Sequence, residues 1–311
     1  MVDFNLRRYF EPRFFYFTLI VFVAKIIFHL LHSQVMEDYT PADTITLSKG
    51  NSTVTVHLFG GTILSWTPQG KEALFVSQKS VFDGKKAIRG GVPIVFPNFG
   101  PWTSGPQHGF ARITPWLVKE GFDKNADSIT LVLHDNDEMR KTWNYKFRIE
   151  YTIKLVNDTQ LKLDVVITNT GVEEFPFTFL FHTYFSVEYI SDCRITGLKD
   201  CTYIDKTRGE EQFLEKSEKI EISEFTDRIY KNTPIIQEVE NIVGNRTCKI
   251  EKFNLPDTVL WNPYAENAKT MSDFGNEEWQ KMVCVEAGAV SSPVVLEPMK
   301  SYAAHQILTI Q

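Results

Sequence analysis

Two short segments gather side chains that can hold an anion. Arg89 begins RGGVPIVFP, in which two glycines and two prolines mark an irregular turn or a strand edge. The second segment, QHGFAR, places Gln107, His108 and Arg112 in a loop that contains a glycine. An arginine beside accessible backbone can bind an anion, and loops that gather polar groups often line sites. Each segment therefore indicates either a binding site or a surface turn, and the residues alone leave both interpretations open.

Three other residues could carry proton chemistry. His182 lies in the aromatic run FLFHTYF, where a histidine is more often a core residue than a general acid or base. It can act in catalysis only if a partner lies within hydrogen-bond reach. Glu286 lies in VCVEAG, and a carboxylate in an apolar strand is costly unless it is paired or functional, which favours function. Asp227, in DRIY, is explained equally well by an exposed turn.

The motifs that most often mark catalytic sites are missing from the chain. It contains no P-loop, no G-x-G-x-x-G, no G-x-S-x-G and no HExxH. Its four cysteines form no C-x-x-C pair and have no histidine at metal-ligand spacing, so we predict no zinc site. A chain of this length also needs no disulfide scaffold, and buried reduced thiols are favoured. Catalytic residues, if present, must be brought together by the fold.

The elements that would position these residues are short strands. Apolar and polar residues alternate over 147–155 and again over 161–167, and the polar connection 157–160 predicts a hairpin between them. Further strands are predicted at 54–59, 129–133 and 306–310. Strands do not alternate with helices, which argues against Rossmann and TIM-barrel architectures. The pattern predicts an all-β fold, one large antiparallel β-sandwich.

Composition limits the class of partner. The 311 residues are 43% hydrophobic and 23% charged, the mixture of an ordinary folded domain. A formal net charge of −6 gives no basic footprint for nucleic acid.

The first 35 residues differ from the remainder. An apolar run at 14–31, preceded by arginines, reaches the lower end of a membrane-spanning length although Lys25 interrupts it. It predicts either a single N-terminal anchor or an upstream extension, with translation from Met36 giving the working protein. The corresponding domains are an apolar segment at 1–35 and one β-sandwich domain at 36–311.

Six motifs, in order along the chain, resemble the aldose 1-epimerase superfamily, with the closer match to its hexose-6-phosphate mutarotase branch. They are RGGVPIVFPNFG at 89–100, QHGFAR at 107–112, FHTYF at 181–185, DRIY at 227–230, LPDTVLWNP at 255–263 and MVCVEAG at 282–288. One of these motifs alone would be weak, but six in the same order are specific. The resemblance covers about residues 42–311.

The resemblance implies a galactose mutarotase-like supersandwich, with His182 as general acid and Glu286 as general base. The substrate-binding positions that it implies are Arg89, Gln107, Arg112, Asp227 and His108. The implied reaction interconverts the α and β anomers of D-glucose 6-phosphate and related hexose 6-phosphates by ring opening and closure. Two arginines would hold the phosphate through charge-assisted hydrogen bonds. No electron leaves the sugar, so we expect no cofactor and no metal.

Three alternatives remain open at this point. The chain could be an aldose 1-epimerase for unphosphorylated sugars, or a non-catalytic module that binds phosphosugars. The third is an anchored lumenal interaction protein, which depends only on the N-terminal segment. We expect a small-molecule sugar phosphate as partner, a monomer, no nucleic acid, and membrane contact only if 14–31 is an anchor. A cytoplasmic location is favoured, as is usual for the family that the chain resembles.

Overall fold

The computed structural model describes residues 43–311. The expectations for the N-terminal segment, namely the domain at 1–35, the anchor at 14–31 and the start at Met36, lie outside the described residues. Within 43–311, no helix is both long enough and apolar enough to span a bilayer.

Residues 43–311 contain nineteen β-strands and two short α-helices. The strands are β1 Thr44–Lys49, β2 Ser52–His57, β3 Thr62–Thr67, β4 Ile94–Val95, β5 Leu117–Val118, β6 Ser128–His134, β7 Phe147–Asn157, β8 Gln160–Asn169, β9 Phe175–Phe181, β10 Tyr184–Ser186, β11 Arg194–Thr196, β12 Thr202–Asp205, β13 Glu211–Leu214, β14 Thr226–Tyr230, β15 Ile236–Ile242, β16 Arg246–Phe253, β17 Asp257–Asn262, β18 Met282–Leu296 and β19 Ser301–Ile310. The helices are α1 Asp137–Thr142 and α2 Tyr264–Thr270. The all-β prediction is confirmed.

The strands of residues 43–311 form two eight-stranded sheets and one three-stranded sheet. The first large sheet has the order β13-β12-β14-β17-β18-β9-β4, with β10 pairing on β18, and it carries the site described below. The second has the order β11-β15-β16-β19-β8-β7-β6-β5. The small sheet is the meander β1-β2-β3. Every paired strand runs antiparallel to its neighbour, as the alternating sequence pattern predicts.

The hairpin that was predicted from residues 147–167 is formed by β7 and β8, with Leu155 opposite Leu161. Its buried residues alternate strictly with partly exposed ones, because one face of this sheet packs on the core. The predicted strand at 54–59 differs in extent. It is β2, which ends at His57, because Gly60 and Gly61 turn the chain with positive φ angles.

The core lies between the two large sheets and is rich in aromatic residues. Tyr151 of β7 packs on Phe181 of β9, with ring centroids 5.9 Å apart, so this contact joins the two sheets. Phe96 packs against Phe147 and Phe177 from opposite sheets, at 5.2 and 5.6 Å. Such rings bury 150–250 Å² each and dominate core energetics. All four cysteines are buried and free, as predicted.

A tight crossing of two backbones holds the QHGFAR loop in place. Gly109 forms a parallel bridge with Phe96, and the amide of Ala111 donates to the Phe96 carbonyl at 3.2 Å. Gly109 has φ +74°, and a Cβ there would lie 2.1 Å from the Phe96 oxygen. Only glycine fits this position without pushing the two backbones apart. The crossing therefore fixes the path of the loop backbone at Gly109.

Replacement of Gly109 tests this crossing. Gly121 is the matched control, because it also has a positive φ, +84°, but a Cβ there meets nothing within 4 Å. We expect Gly121→Ala to cost about 1–2 kcal/mol of unfolding free energy from backbone strain. Gly109→Ala should cost about 1–3 kcal/mol more, because backbone must also move apart. Urea denaturation measures both costs, and equal losses would contradict the steric argument.

Candidate active site

Glu286 enters the site from the middle of β18. Side chains alternate along this strand, and Val285 and Ala287 point into the main core. Glu286 therefore points to the opposite face, where its side chain is 1% exposed. Neither carboxylate oxygen has a hydrogen-bond partner within residues 43–311. A buried carboxylate without hydrogen-bond donors costs folding free energy. Both oxygens of Glu286 can accept a hydrogen bond from a ligand hydroxyl, because no protein group within residues 43–311 donates to them.

His182 reaches the same place from the neighbouring strand. Phe181, the last residue of β9, pairs with Ala287, so the next residue of the chain faces Glu286 across the sheet. The His182 amide donates to the Pro93 carbonyl at 3.0 Å, which fixes the main chain. The Nδ1 atom of His182 lies 3.3 Å from Oε1 of Glu286. This distance allows an electrostatic interaction, but the alignment is not that of a hydrogen bond.

Burial shifts the pKa of both groups toward their neutral forms. The pKa of Glu286 is well above its ordinary value because the carboxylate is desolvated and because Asp227 is negative. Lys206 and Arg112 oppose this shift. The pKa of His182 is well below its ordinary value, owing to burial and then to the positive charges of Arg112 and Arg89. Both shifts act in the same sense, toward a neutral carboxyl group and a neutral imidazole.

Arg89 supplies a fixed positive charge next to the pair. Its Nε and Nη2 atoms lie 3.2 and 3.1 Å from one oxygen of Asp273, and its Nη1 donates to the Tyr184 hydroxyl at 3.2 Å. Burial disfavours the guanidinium charge, but Tyr184 and Asp273 outweigh it and hold the pKa of Arg89 above its ordinary value. The guanidinium of Arg89 is thus permanently charged, and Asp273 and Tyr184 fix its position.

Arg112 differs from Arg89 in its surroundings. Its Nη2 donates to the backbone carbonyl of Gln107 at 2.8 Å, whereas its buried Nε has no partner within residues 43–311. Burial lowers the pKa of Arg112 to about 10, and the nearby Arg89 adds to this effect. Arg112 remains charged at neutral pH, with part of its hydrogen-bonding capacity free for an anion.

His108 is held as a donor rather than as an acid or base. Its backbone has φ +65°, and its Nδ1 accepts a hydrogen bond from the Gly100 amide at 3.1 Å. Since Nδ1 accepts, the ring proton is on Nε2. Burial, together with Arg112 and the other nearby positive groups, keeps the pKa of His108 well below its ordinary value. The ring therefore stays neutral at physiological pH.

Asp227 has a partner that the sequence did not reveal. Lys206, in a single 3-10 turn after β12, places its Nζ 3.6 Å from Oδ2 of Asp227. The pKa of Asp227 is raised by burial, which Lys206 partly opposes. Lys206 also lies over the Phe99 ring, 5.4 Å from its centroid. No motif marked Lys206, because it reaches Asp227 only through the pairing of β12 with β14.

These residues surround a cavity of about 250 Å³. Six of the residues predicted from the sequence line it, namely Arg89, Gln107, His108, His182, Asp227 and Glu286. Lys206 and Trp261 also line it, and the sequence analysis did not name them. Arg112 is not part of the lining, although it contacts the Gln107 backbone. The volume suits a small polar molecule such as a single sugar rather than a larger ligand.

One group of side chains in this region has the composition of a metal site. The potential ligand atoms of His182, Cys284 and Glu286 all lie within 4.8 Å of one another. Sequence spacing could not show this, because the three residues meet across strands. The donors suit a metal poorly, since burial keeps the pKa of the Cys284 thiol well above its ordinary value and Arg89 and Arg112 are close by. The absence of a metal stays a prediction.

Comparison with known proteins identifies the class. Residues 43–309 match the model of the aldose 1-epimerase family, and the chain belongs to this family. Among its relatives is a protein from Cenchrus ciliaris that is provisionally named glucose-6-phosphate 1-epimerase. It is 35% identical over 257 residues, which cover 80% of this chain and 78% of the relative. An Escherichia coli protein with the same provisional name is 30% identical over 238 residues, covering 75% and 79%.

Solved structures agree with this assignment. A provisionally named mutarotase from Salmonella typhimurium superimposes with a TM-score of 0.78 at 27% identity, covering 92% of this chain and 99% of that one. Galactose 1-epimerase from Lactobacillus acidophilus gives a TM-score of 0.66 at 14% identity, covering 85% and 92%. The second likeness concerns the fold alone. The predicted galactose mutarotase-like β-sandwich is confirmed.

The raised pKa of Glu286 predicts a cost in stability at neutral pH. The folded protein keeps the Glu286 proton at pH values where the unfolded chain has lost it, so stability falls as pH rises above 4.5, the ordinary value. Glu286→Gln removes this cost. We expect the variant to be more stable at pH 7 by about 1 kcal/mol, with a Tm about 2 °C higher or more. The gain should vanish near pH 4, where both states are protonated.

Calorimetry at the two pH values measures the difference. Glu297→Gln is the matched control, because it makes the same chemical change at an exposed position outside the site. A Glu286→Gln variant that is no more stable than the wild type at pH 7 would contradict the burial argument.

Proposed function

We propose that this protein interconverts the α and β anomers of D-glucose 6-phosphate and related hexose 6-phosphates. The observation that carries the proposal is the buried pair of Glu286 and His182, 3.3 Å apart and without hydrogen-bond partners for the two carboxylate oxygens and Nδ1 within the described residues. Its position in a sugar-sized cavity, in a chain of the aldose 1-epimerase family, supports the same reaction. A module that only binds sugar would have no use for such a pair.

The reaction needs one base and one acid. Glu286, as carboxylate, takes the proton of the C1 hydroxyl while the C1–O1 bond becomes a carbonyl. The C1–O5 bond breaks, and His182, as imidazolium, gives its proton to O5. Rotation about C1–C2 turns the carbonyl, and O5 attacks its other face. The proton on O5 then returns to His182, and Glu286 returns a proton to O1, so that all atoms balance.

The pKa shifts fit this cycle. Burial favours the pair with its proton on Glu286, and the reactive pair has it on His182, so these two states differ only in where one proton lies. Substrate hydroxyls that donate to the carboxylate, together with Lys206 and Arg112, favour the charged form once sugar is bound. In the open-chain intermediate, both residues are again neutral, which is the arrangement that burial stabilises.

The distribution of charge around the pair supports a phosphate at carbon 6. Arg112 acts on both members of the pair, whereas Arg89 is named among the charges acting on His182 and Lys206 among those acting on Glu286. Since His182 would serve O5, a phosphate on carbon 6 would meet the arginines in this proposal. Arginine binds phosphate oxygens through charge-assisted hydrogen bonds. Asp227 and Gln107, which line the cavity, would accept and donate hydrogen bonds with the sugar hydroxyls.

The alternative substrate is an unphosphorylated aldose. The observation in its favour is the ion pair between Arg89 and Asp273, which already neutralises one of the two arginines. The unpartnered Nε of Arg112 argues for the phosphate. A monomeric state and a cytoplasmic location are part of the same proposal.

The first experiment measures anomerisation by the full chain. Fresh α-glucose 6-phosphate is followed by polarimetry or by saturation-transfer NMR, beside free glucose. We expect faster anomerisation of the phosphate and a loss of about 10²–10⁴-fold in kcat for Glu286→Gln, because the variant has no base. Glu297→Gln should keep full activity. A folded wild type that accelerates neither sugar would refute the enzymatic proposal, and equal acceleration of both would remove the phosphate specificity.

The two arginines are tested by the ratio of kcat/KM for glucose 6-phosphate to that for glucose. Arg89→Leu and Arg112→Leu should each lower this ratio by about tenfold or more, the value of a hydrogen bond to a charged group. Arg148→Leu, in the other large sheet, is the control and should leave the ratio unchanged. A ratio that survives both site substitutions would favour the unphosphorylated substrate.

A further inference from the structure

Tyr184 contacts both the proposed phosphate anchor and the proposed acid. Its ring is stacked on the His182 ring with centroids 4.8 Å apart and planes only 9° from parallel. Its hydroxyl oxygen accepts a hydrogen bond from Nη1 of Arg89 at 3.2 Å. Tyr184 is 1% exposed and does not line the cavity, so it would act on the sugar only through these two residues.

The Tyr184 side chain is held in one place by its backbone. Residue 184 lies in β10 opposite Cys284 of β18, the strand that also carries Glu286. Its amide donates to the Gly91 carbonyl at 2.9 Å, and its carbonyl accepts from the Phe75 amide at 3.0 Å. The phenol is therefore a rigid spacer of fixed length rather than a mobile group.

Arg89 connects Asp273 to Tyr184, whose ring stacks on His182. Asp273 holds the Nε and Nη2 edge of the guanidinium, and Tyr184 holds Nη1. The position of Arg89 in the cavity thus depends on one charged partner, the Asp273 carboxylate, and one neutral partner, the Tyr184 hydroxyl. Loss of the Asp273 contact would remove a charge, whereas loss of the Tyr184 hydroxyl would remove only one hydrogen bond and leave the ring stack intact. Substitution can therefore separate the hydrogen bond that Tyr184 accepts from Arg89 from the stacking of its ring on His182.

We propose that Tyr184 is a positioning residue that sets the distance between the anion bound at Arg89 and the His182 imidazole, and so selects sugars that carry a phosphate on carbon 6. The inference rests on the proposed function. Its physical basis is that binding energy from a remote group accelerates a reaction only if it orients the reacting atoms. A phosphate held at Arg89 places O5 against His182 only while the spacing between these two side chains is kept.

The test uses Tyr184→Phe in the full chain, which removes the hydroxyl and keeps the stacked ring. We expect kcat for glucose 6-phosphate to fall, and the kcat/KM ratio of glucose 6-phosphate over glucose to fall about tenfold. Tyr184→Leu also removes the ring, and it should lower kcat for both sugars. Because the ratio is measured on one preparation, it does not depend on the fraction of variant that is folded.

Tyr151→Phe is the matched control. Tyr151 is equally buried, in β7, and its hydroxyl has no hydrogen-bond partner within residues 43–311, so the same chemical change should leave the ratio unaltered. A Tyr184→Phe ratio equal to that of the wild type would overturn the proposal while leaving the epimerase function intact.

A second measurement does not depend on catalysis. Inorganic phosphate that binds at Arg89 should raise the Tm of the wild type by mass action. Tyr184→Phe should need about tenfold more phosphate for the same rise, and Tyr151→Phe should need no more than the wild type. If the wild type accelerated neither sugar, the proposed function would fail. The phosphate titration would still show whether the Tyr184 hydroxyl supports anion binding at Arg89. An unchanged phosphate response in Tyr184→Phe would then overturn the positioning role.

Discussion

The buried carboxylate of Glu286 is the constraint on which the rest of the site depends. A core strand of a β-sandwich is an unfavourable place for a charge, and within residues 43–311 no donor compensates either oxygen. An imidazole lies 3.3 Å from this carboxyl group, and Lys206 and Arg112 are cations that favour its charged form. In the proposed reaction, stability and reactivity oppose each other at this one residue.

The cations of the site are held in three different ways. Arg89 is tied to a carboxylate and a phenol, Arg112 to a backbone carbonyl, and Lys206 to Asp227. Arg112 keeps an unpartnered Nε within residues 43–311, whereas Arg89 has a partner on each edge of its guanidinium. In the proposed complex, Arg112 would add attraction for the phosphate and Arg89 would fix its position.

The sequence predicted the architecture where a pattern is local and missed what depends on distant contacts. Strict alternation over 147–167 identified the β7–β8 hairpin, and motif resemblance identified six of the cavity-lining residues. Lys206 lies in a short turn with no signature of its own. Asp273 is 184 residues from Arg89 along the chain, and only the folded sheet brings them together. Tyr184 is only two residues from His182, and their rings stack where the chain passes from β9 to β10.

Glu286 lies within a central strand and His182 directly follows its neighbour, whereas Gln107, His108 and Lys206 lie on connecting segments. This separation has an evolutionary consequence. The spacing of His182 and Glu286, the proposed acid and base, follows from the register of two hydrogen-bonded strands, which varies little once a core is packed around it. Substitutions and insertions in the connections can change which sugar is held without moving the pair. The fold itself is shared with a solved structure at 14% identity, so the register of the central strands can be kept while the connecting segments change.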